Sequence, residues 1–314
     1  MQGNNLIIND AQPISSVFFP ESLQVMKNRD YNIQYAELNG LRLVPIDRTT
    51  APWAQVVGYN QYDLTGEAKV IATQANDLPM TDATGQRFFN PIVTIGASYK
   101  YTKQEIEFAR QAGVPFKENK RASMEKAHLE KVNTMIFQGD SEANIVGWLN
   151  VPTVNKVPVA GANANARKWF GTGATKTALQ IVDDLNEAYN YIYNATGGKV
   201  LPNRVAMGLL ASQKLKQTYI NEYNLISIWD YWVDTLDAPM VLETAKELDG
   251  AFPGATNGFI MYRYDINDFW FELPMLFEEY EPSYTILEWI FPSFSRVGGI
   301  TMPYPKTQAM RYGI

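Results

Sequence analysis

Between residues 92 and 102 apolar and polar positions alternate. Val93, Ile95, Ala97, Tyr99 and Tyr101 fall on one side, and Thr94, Gly96, Ser98, Lys100 and Thr102 on the other. A period of two predicts a strand with one buried face. Residues 53–62, rich in Val and Tyr, predict another strand. Residues 63–87 between them are polar and carry Gly66, Asn76, Asp77, Pro79, Asp82 and Gly85. That pattern predicts a long two-stranded ribbon with a wet tip, which is marginal alone in water and needs a partner surface.

After residue 102 the period lengthens. Ile106, Ala109 and Ala112 predict a short helix ended by Gly113 and Pro115. Asn119 is the expected cap of a second helix running to about Gln138, with Ala122, Leu129, Val132 and Ile136 as its apolar stripe. Twenty residues make a rod of about 30 Å, stopped by Gly139-Asp140. Residues 176–193 give the clearest helix. Ala178, Ile181, Leu185, Ala188 and Ile192 line one face, Asp183, Asp184 and Glu187 are expected away from it, and Gly197-Gly198 closes it. A strand near 205–209, a helix near 212–219, strands over 258–274 and a last strand near 297–302 follow. Residues 1–50 show no strong period and carry Pro13, Pro20 and Pro45, as expected of an extended arm. The order of elements argues an α+β protein with two lobes and no internal repeat.

Composition narrows the chemistry. The 314 residues allow about two domains of ~150 each, and 46% hydrophobic against 19% charged residues marks a folded chain. No apolar run reaches the ~18 residues of a membrane span, and Met1-Gln2-Gly3-Asn4-Asn5 does not begin a secretory signal. Cysteine is absent, which removes disulfides, thiol nucleophiles, Cys-based zinc sites and iron–sulfur clusters. His128 is the sole histidine, so a Ser-His-Asp triad would have to run through it. Its place beside Leu129 reads instead as the flank of a core stripe. No catalytic residue, metal or cofactor is expected.

The net charge of −6 does not suggest a DNA-reading protein. Residues 230–290 hold thirteen acids against two bases, a net of −11 that leaves about +5 for the rest. This fits a separate acidic lobe.

Two motifs invite sharper readings. Gly171-Thr172-Gly173-Ala174-Thr175-Lys176-Thr177 approaches a phosphate-binding loop, but Thr175 and Phe170 stand where that loop needs glycines. The expected role is a plain helix entry capped by Thr175. Glu272, Glu278, Glu279 and Glu281 lie near Phe269-Trp270-Phe271. A carboxylate-based hydrolase using Glu272 and Glu278 is one reading, set against a strand edge with a solvated acidic turn. Trp229, Tyr231 and Trp232 read as core or subunit contact.

The ordered set resembles a known family. Its carriers are Trp53 with the following strands; Tyr101-Thr102-Lys103-Gln104-Glu105 leading through Ala109 to Gly113; and the long helix ending Asn133…Phe137-Gln138-Gly139-Asp140. After these come Gly147-Trp148-Leu149-Asn150-Val151-Pro152, then Arg296-Val297-Gly298-Gly299-Ile300 with Pro303 and Pro305. In order and spacing they are similar to the major capsid proteins of tailed bacteriophages with the Hong Kong 97 fold.

The resemblance implies an N-terminal arm over 1–50, an extended loop over 51–100, and a peripheral domain with its spine helix over 101–175. It further implies an axial domain over 176–290 and a C-terminal strand over 291–314 returning to the peripheral domain. It implies a structural protein that assembles through pentamers and hexamers into an icosahedral head enclosing double-stranded DNA, located in the virion and assembled in the bacterial cytoplasm. Implied partners are its own copies, a portal, separate scaffolding or decoration proteins, and DNA held nonspecifically; the charge pattern adds that bases such as Lys103, Lys120 and Arg121 would face the DNA. No membrane is implied. No charged helical segment before residue 50 marks an internal scaffold, and no Asn acceptor or helper Glu is marked for a cross-link from Lys69. An encapsulin-type compartment shell shares the fold and is the alternative.

Overall fold

The computed structural model describes residues 37–70, 80–112, 116–221, 223, 225–236 and 238–314. The expected arm before residue 37, the ribbon tip over 71–79 and the Gly113–Pro115 helix stop lie outside them. In chain order the helices are α1 (Gly40–Leu43), α2 (Lys103–Ala112), α3 (Phe116–Phe137), α4 (Ala164–Arg167), α5 (Ala178–Ala195), α6 (Leu209–Gln217) and α7 (Ile228–Asp234). The strands are β1 (Ile46–Asp47), β2 (Val56–Thr65), β3 (Asp82–Pro91), β4 (Val93–Thr102), β5 (Gly139–Asp140), β6 (Ile145–Val146), β7 (Asn155–Pro158) and β8 (Arg204–Met207). They continue with β9 (Val241–Thr244), β10 (Gly258–Tyr262), β11 (Trp270–Glu272), β12 (Met275–Glu279), β13 (Ser283–Tyr284), β14 (Glu288–Val297), β15 (Gly299–Thr301) and β16 (Gln308–Tyr312).

A five-stranded sheet, ordered β7-β16-β10-β8-β9, divides the core. Side chains alternate across a strand, and β10 uses both faces. Ile260 and Tyr262 join one cluster with Leu43, Val132, Ile136, Trp148, Phe269 and Phe271. Phe259 and Met261 join the other with Trp169, Ile181, Leu185, Ile192 and Trp232. Each large apolar side chain so buried contributes about 1.5–3 kcal/mol. Both clusters lie within one compact unit, Leu38–Ile314, so the two expected lobes share a sheet.

A second sheet is built on β14. It pairs with β4 along its whole length, from Glu288↔Thr102 to Val297↔Val93, and with β12 and β13 in succession. α3 packs on β4 and β12. β4 follows its pattern, with Tyr99 and Tyr101 buried and Lys100 exposed.

Several expectations change. α3 begins at Phe116, so Asn119 lies inside it and caps nothing. Its buried stripe runs Met124, His128, Val132, Ile136, one helical turn per step, while Ala122 is exposed. His128 is therefore a core residue, not a flank. The cap of α5 is Thr177, in a capping box with Gln180, two residues beyond Thr175. Asp184 lies on the buried face of α5, because Trp169 Nε1 (2.7 Å) and Lys176 satisfy its carboxylate there.

The expected arm over 1–50 also changes. Leu43 and Val44 are fully buried, Leu41 and Ile46 pack against their cluster, and β1 pairs parallel with β11, so this part of the expected arm belongs to the core. At the other end, β14 and β15 return to β4 and β11, whereas β16 enters the five-stranded sheet between β7 and β10. The acidic stretch over 230–290 is no separate lobe. Its residues lie in both clusters, and its acids pair with outside bases: Glu243 with Arg204 (3.1 Å), Glu279 with Arg121 (3.1 Å) and Glu288 with Lys100 (2.9 Å).

Candidate assembly surfaces

β2 and β3 form an isolated ribbon. They pair over ten residues, from Val56↔Pro91 to Thr65↔Asp82, and join no other sheet among the described residues. Tyr59 stacks on Phe88 at 5.2 Å. Most of the ribbon faces water, including Leu64 (80% exposed) and Phe89 (62%). Its root is fixed. Asn90 Nδ2 donates to Thr301 Oγ1 (2.7 Å), and Arg296 donates to the Pro52 carbonyl.

Two further apolar surfaces are uncovered. Ile286 and Leu287 stand exposed beside β13 and β14, and Ile106 and Phe108 on α2. The Lys103 amide, which opens α2, donates to the Leu287 carbonyl (3.1 Å), so the two segments adjoin. Tyr219, Tyr223 and Leu225 are exposed between α6 and α7. Monomers seldom leave contiguous apolar patches so open.

The sequence-derived site residues are dispersed. Glu272 is buried on β11, where it accepts from Trp270 Nε1 and Thr50 Oγ1 (3.1 Å). Burial pushes its carboxyl above the usual range. Glu278 is exposed on β12, in a different sheet, and shares no hydrogen bond with Glu272 among the described residues. Lys176, the near-match lysine, is committed to Asp184. Trp229 and Trp232 are core residues on α7. Among the bases expected to face DNA, Lys120 pairs with Glu105 (3.3 Å) and Arg121 with Glu279. Among the described residues no group of His, Asp or Glu is placed to hold a metal, and no helix is long and apolar enough to cross a membrane.

The sequence reading missed a buried polar network on the second sheet, in which His128 meets Ser293 and Ser295. The available signal was the two-residue spacing of those serines, which puts them on one face of a strand.

A rooted but uncovered ribbon, a long helix laid on a sheet, and a helix-backed five-stranded sheet define the subunit of a shell with the Hong Kong 97 fold. The family model of the major capsid protein matches residues 66–314, and the chain belongs to that family. Among solved structures, the capsid of Myoviridae phage XM1 is similar at TM-score 0.79 and 12% identity, over 96% of this chain and 100% of that one. A chain of Mycobacterium phage Adephagia gives 0.63 and 9%, over 94% and 98%. The capsid of an empty GTA particle gives 0.61 and 11%, over 93% and 95%. At such identities the likeness carries the fold. No curated protein matches by sequence. The chain is thus a structural capsid protein that self-assembles into a shell and resides in the virion.

Proposed function

We propose that the shell is an icosahedral phage head of pentamers and hexamers enclosing double-stranded DNA, assembled in the bacterial cytoplasm. Its subunit performs no catalysis. In this reading α3 with the β4-β14-β12 sheet is the peripheral domain, the five-stranded sheet with α5, α6 and α7 is the axial domain, and the ribbon is the extended loop. A portal occupies one vertex, and scaffolding or decoration proteins are separate chains. DNA contact is nonspecific and weak, through exposed bases such as Lys103, since Lys120 and Arg121 are held in ion pairs.

The observation that carries this reading is the ribbon, whose backbone and apolar side chains find cover only on another copy. Replacing residues 64–86 with a short Gly/Ser turn tests it. Loop length enters closure entropy only logarithmically, so the monomer should keep its circular dichroism and melting. Electron microscopy should show no closed shells. Normal shells from the deletion variant would refute the intersubunit role.

A further inference from the structure

His128 is 1% exposed and faces the second sheet from α3. Its Nε2 lies 2.8 Å from Ser293 Oγ and its Nδ1 2.7 Å from Ser295 Oγ. Both serines are fully buried on one face of β14. Ser293 Oγ also lies 3.0 Å from the Ala97 carbonyl on β4, and Ser295 Oγ meets the Leu276 carbonyl on β12. The contacts form one unbroken chain of carbonyl, hydroxyl, imidazole, hydroxyl and carbonyl, from β4 through β14 and α3 to β12.

The protons in this chain can be counted. Carbonyls only accept, each hydroxyl carries one proton, and neutral imidazole carries one. Four contacts then share three protons. With Nε2 protonated, the ring donates to Ser293, which donates to Ala97, while Ser295 gives its proton to Nδ1 and leaves the Leu276 carbonyl without it. With Nδ1 protonated, Leu276 keeps its bond and Ala97 loses one. An imidazolium supplies the fourth proton, and every contact is filled.

We propose that His128 is a proton-operated tie: the neutral ring fastens α3 and β14 to only one flanking strand, chosen by its tautomer, and the imidazolium fastens them to both. The charged groups of the elements that pack about the ring are Arg121, Glu125 and Lys131 on the same side of α3, Glu278 and Glu279 on β12, Glu288 and Arg296 on β14 and Lys100 on β4, with the phenols of Tyr99 and Tyr101. None bonds to the ring. Arg121 is held by Glu279, Lys131 by Asp140 and Lys100 by Glu288. Phe277 on β12 closes the ring's side, edge to face at 5.5 Å. With no counter-ion, burial lowers the imidazole below its ordinary value, so the ring charges only at a pH below that of a free imidazole.

The sole histidine makes the test clean. Solid-state NMR of assembled protein, isotope-labelled only at histidine nitrogen, reads the tautomer and the titration together. Ser293→Ala should leave the neutral ring protonated at Nδ1, and Ser295→Ala at Nε2. Each variant should titrate about one pH unit or more below the wild type, since a hydrogen bond to the charged form is lost. The same tautomer in both variants, or midpoints unchanged from wild type, would overturn the proposal. If neither variant assembles, the wild type decides alone. Its acid form should show both ring nitrogens protonated and hydrogen-bonded, and its neutral form one donor and one acceptor nitrogen; an acid form with either N–H free of a hydrogen bond sinks the idea.

Discussion

Tyr59 on β2 and Trp270 on β11 meet edge to face, ring centroids 6.3 Å apart, and through this contact the ribbon rests on a buried carboxylate. Trp270 Nε1 donates to Glu272, which also holds Thr50, upstream of the ribbon. Ribbon direction is therefore tied to residues at the edge of the core.

Tyr59→Ala should free the ribbon without unfolding the subunit. An aromatic pair is worth about 0.5–1.5 kcal/mol beyond burial, so the melting temperature should fall only slightly. Hydrogen exchange across 56–65 and 82–91 should quicken, and shell yield should drop. Unchanged exchange in the unassembled variant would show that Asn90–Thr301 and Arg296–Pro52 fix the root without it.

Glu272 carries a pH signature. Burial raises its carboxyl pKa in the folded chain. The folded state therefore binds more protons than the unfolded one between the unfolded value, ~4.3, and the raised value. Stability from this group is full below that window and is lost as pH rises through it. Gln at 272 can still accept from Trp270, and its amide can donate to Thr50 Oγ1. Glu272→Gln should be neutral or stabilising at pH ~7 and lose that advantage near pH ~4. Urea denaturation at the two values checks the sign.

Glu247 should behave oppositely. Burial opposes its ionisation, but hydrogen bonds from its own backbone, from Asn133 Nδ2 (2.9 Å) and from the Asn39 amide (3.1 Å) and Nδ2 (3.2 Å) outweigh it and lower the pKa. Its stabilisation is present above ~4.3 and is lost as pH falls through the lowered value. Glu247→Gln should therefore cost stability at neutral pH and little in acid. A loss equal at both pH values would place the effect in packing instead.

The legible parts of the sequence are those whose burial follows a single period. β4 reads directly because its neighbours bury one face, and α5 because its apolar stripe has few interruptions. β14 is opaque because its buried face includes Ser293 and Ser295, and Pro292 stands just before them. β16 is opaque because Gln308 and Arg311 are buried. Gln308 accepts from Trp148 Nε1 (2.8 Å), and Arg311 donates to Asn155 (2.7 Å). Buried polar residues are stable only with partners distant in sequence, and those partners leave no local pattern. The same holds for the assembly surfaces. The ribbon showed as polar residues between two strands, whereas the hairpin apex at Ile286 and Leu287 gave no period to separate it from core.

The Lys176–Asp184 pair offers the sharpest stability test. Both side chains are nearly inaccessible, at 5% and 2%, and the pair joins the loop ahead of α5 to the helix itself. Asp184 also accepts from Trp169 Nε1. Burial is the largest influence on its carboxyl and raises its pKa despite these bonds. Lys176→Met removes the cation and leaves a buried carboxylate unpaired, which typically costs about 3–5 kcal/mol. Adding Asp184→Asn removes that charge while its amide oxygen still accepts from Trp169. The double variant should therefore recover most of the loss, because a buried ion pair exchanged for neutral groups of similar volume is often close to neutral. Denaturation midpoints of the wild type, both single variants and the double variant complete the cycle. Additive losses would show that the two side chains act independently, and the pair would then be packing rather than a coupled charge.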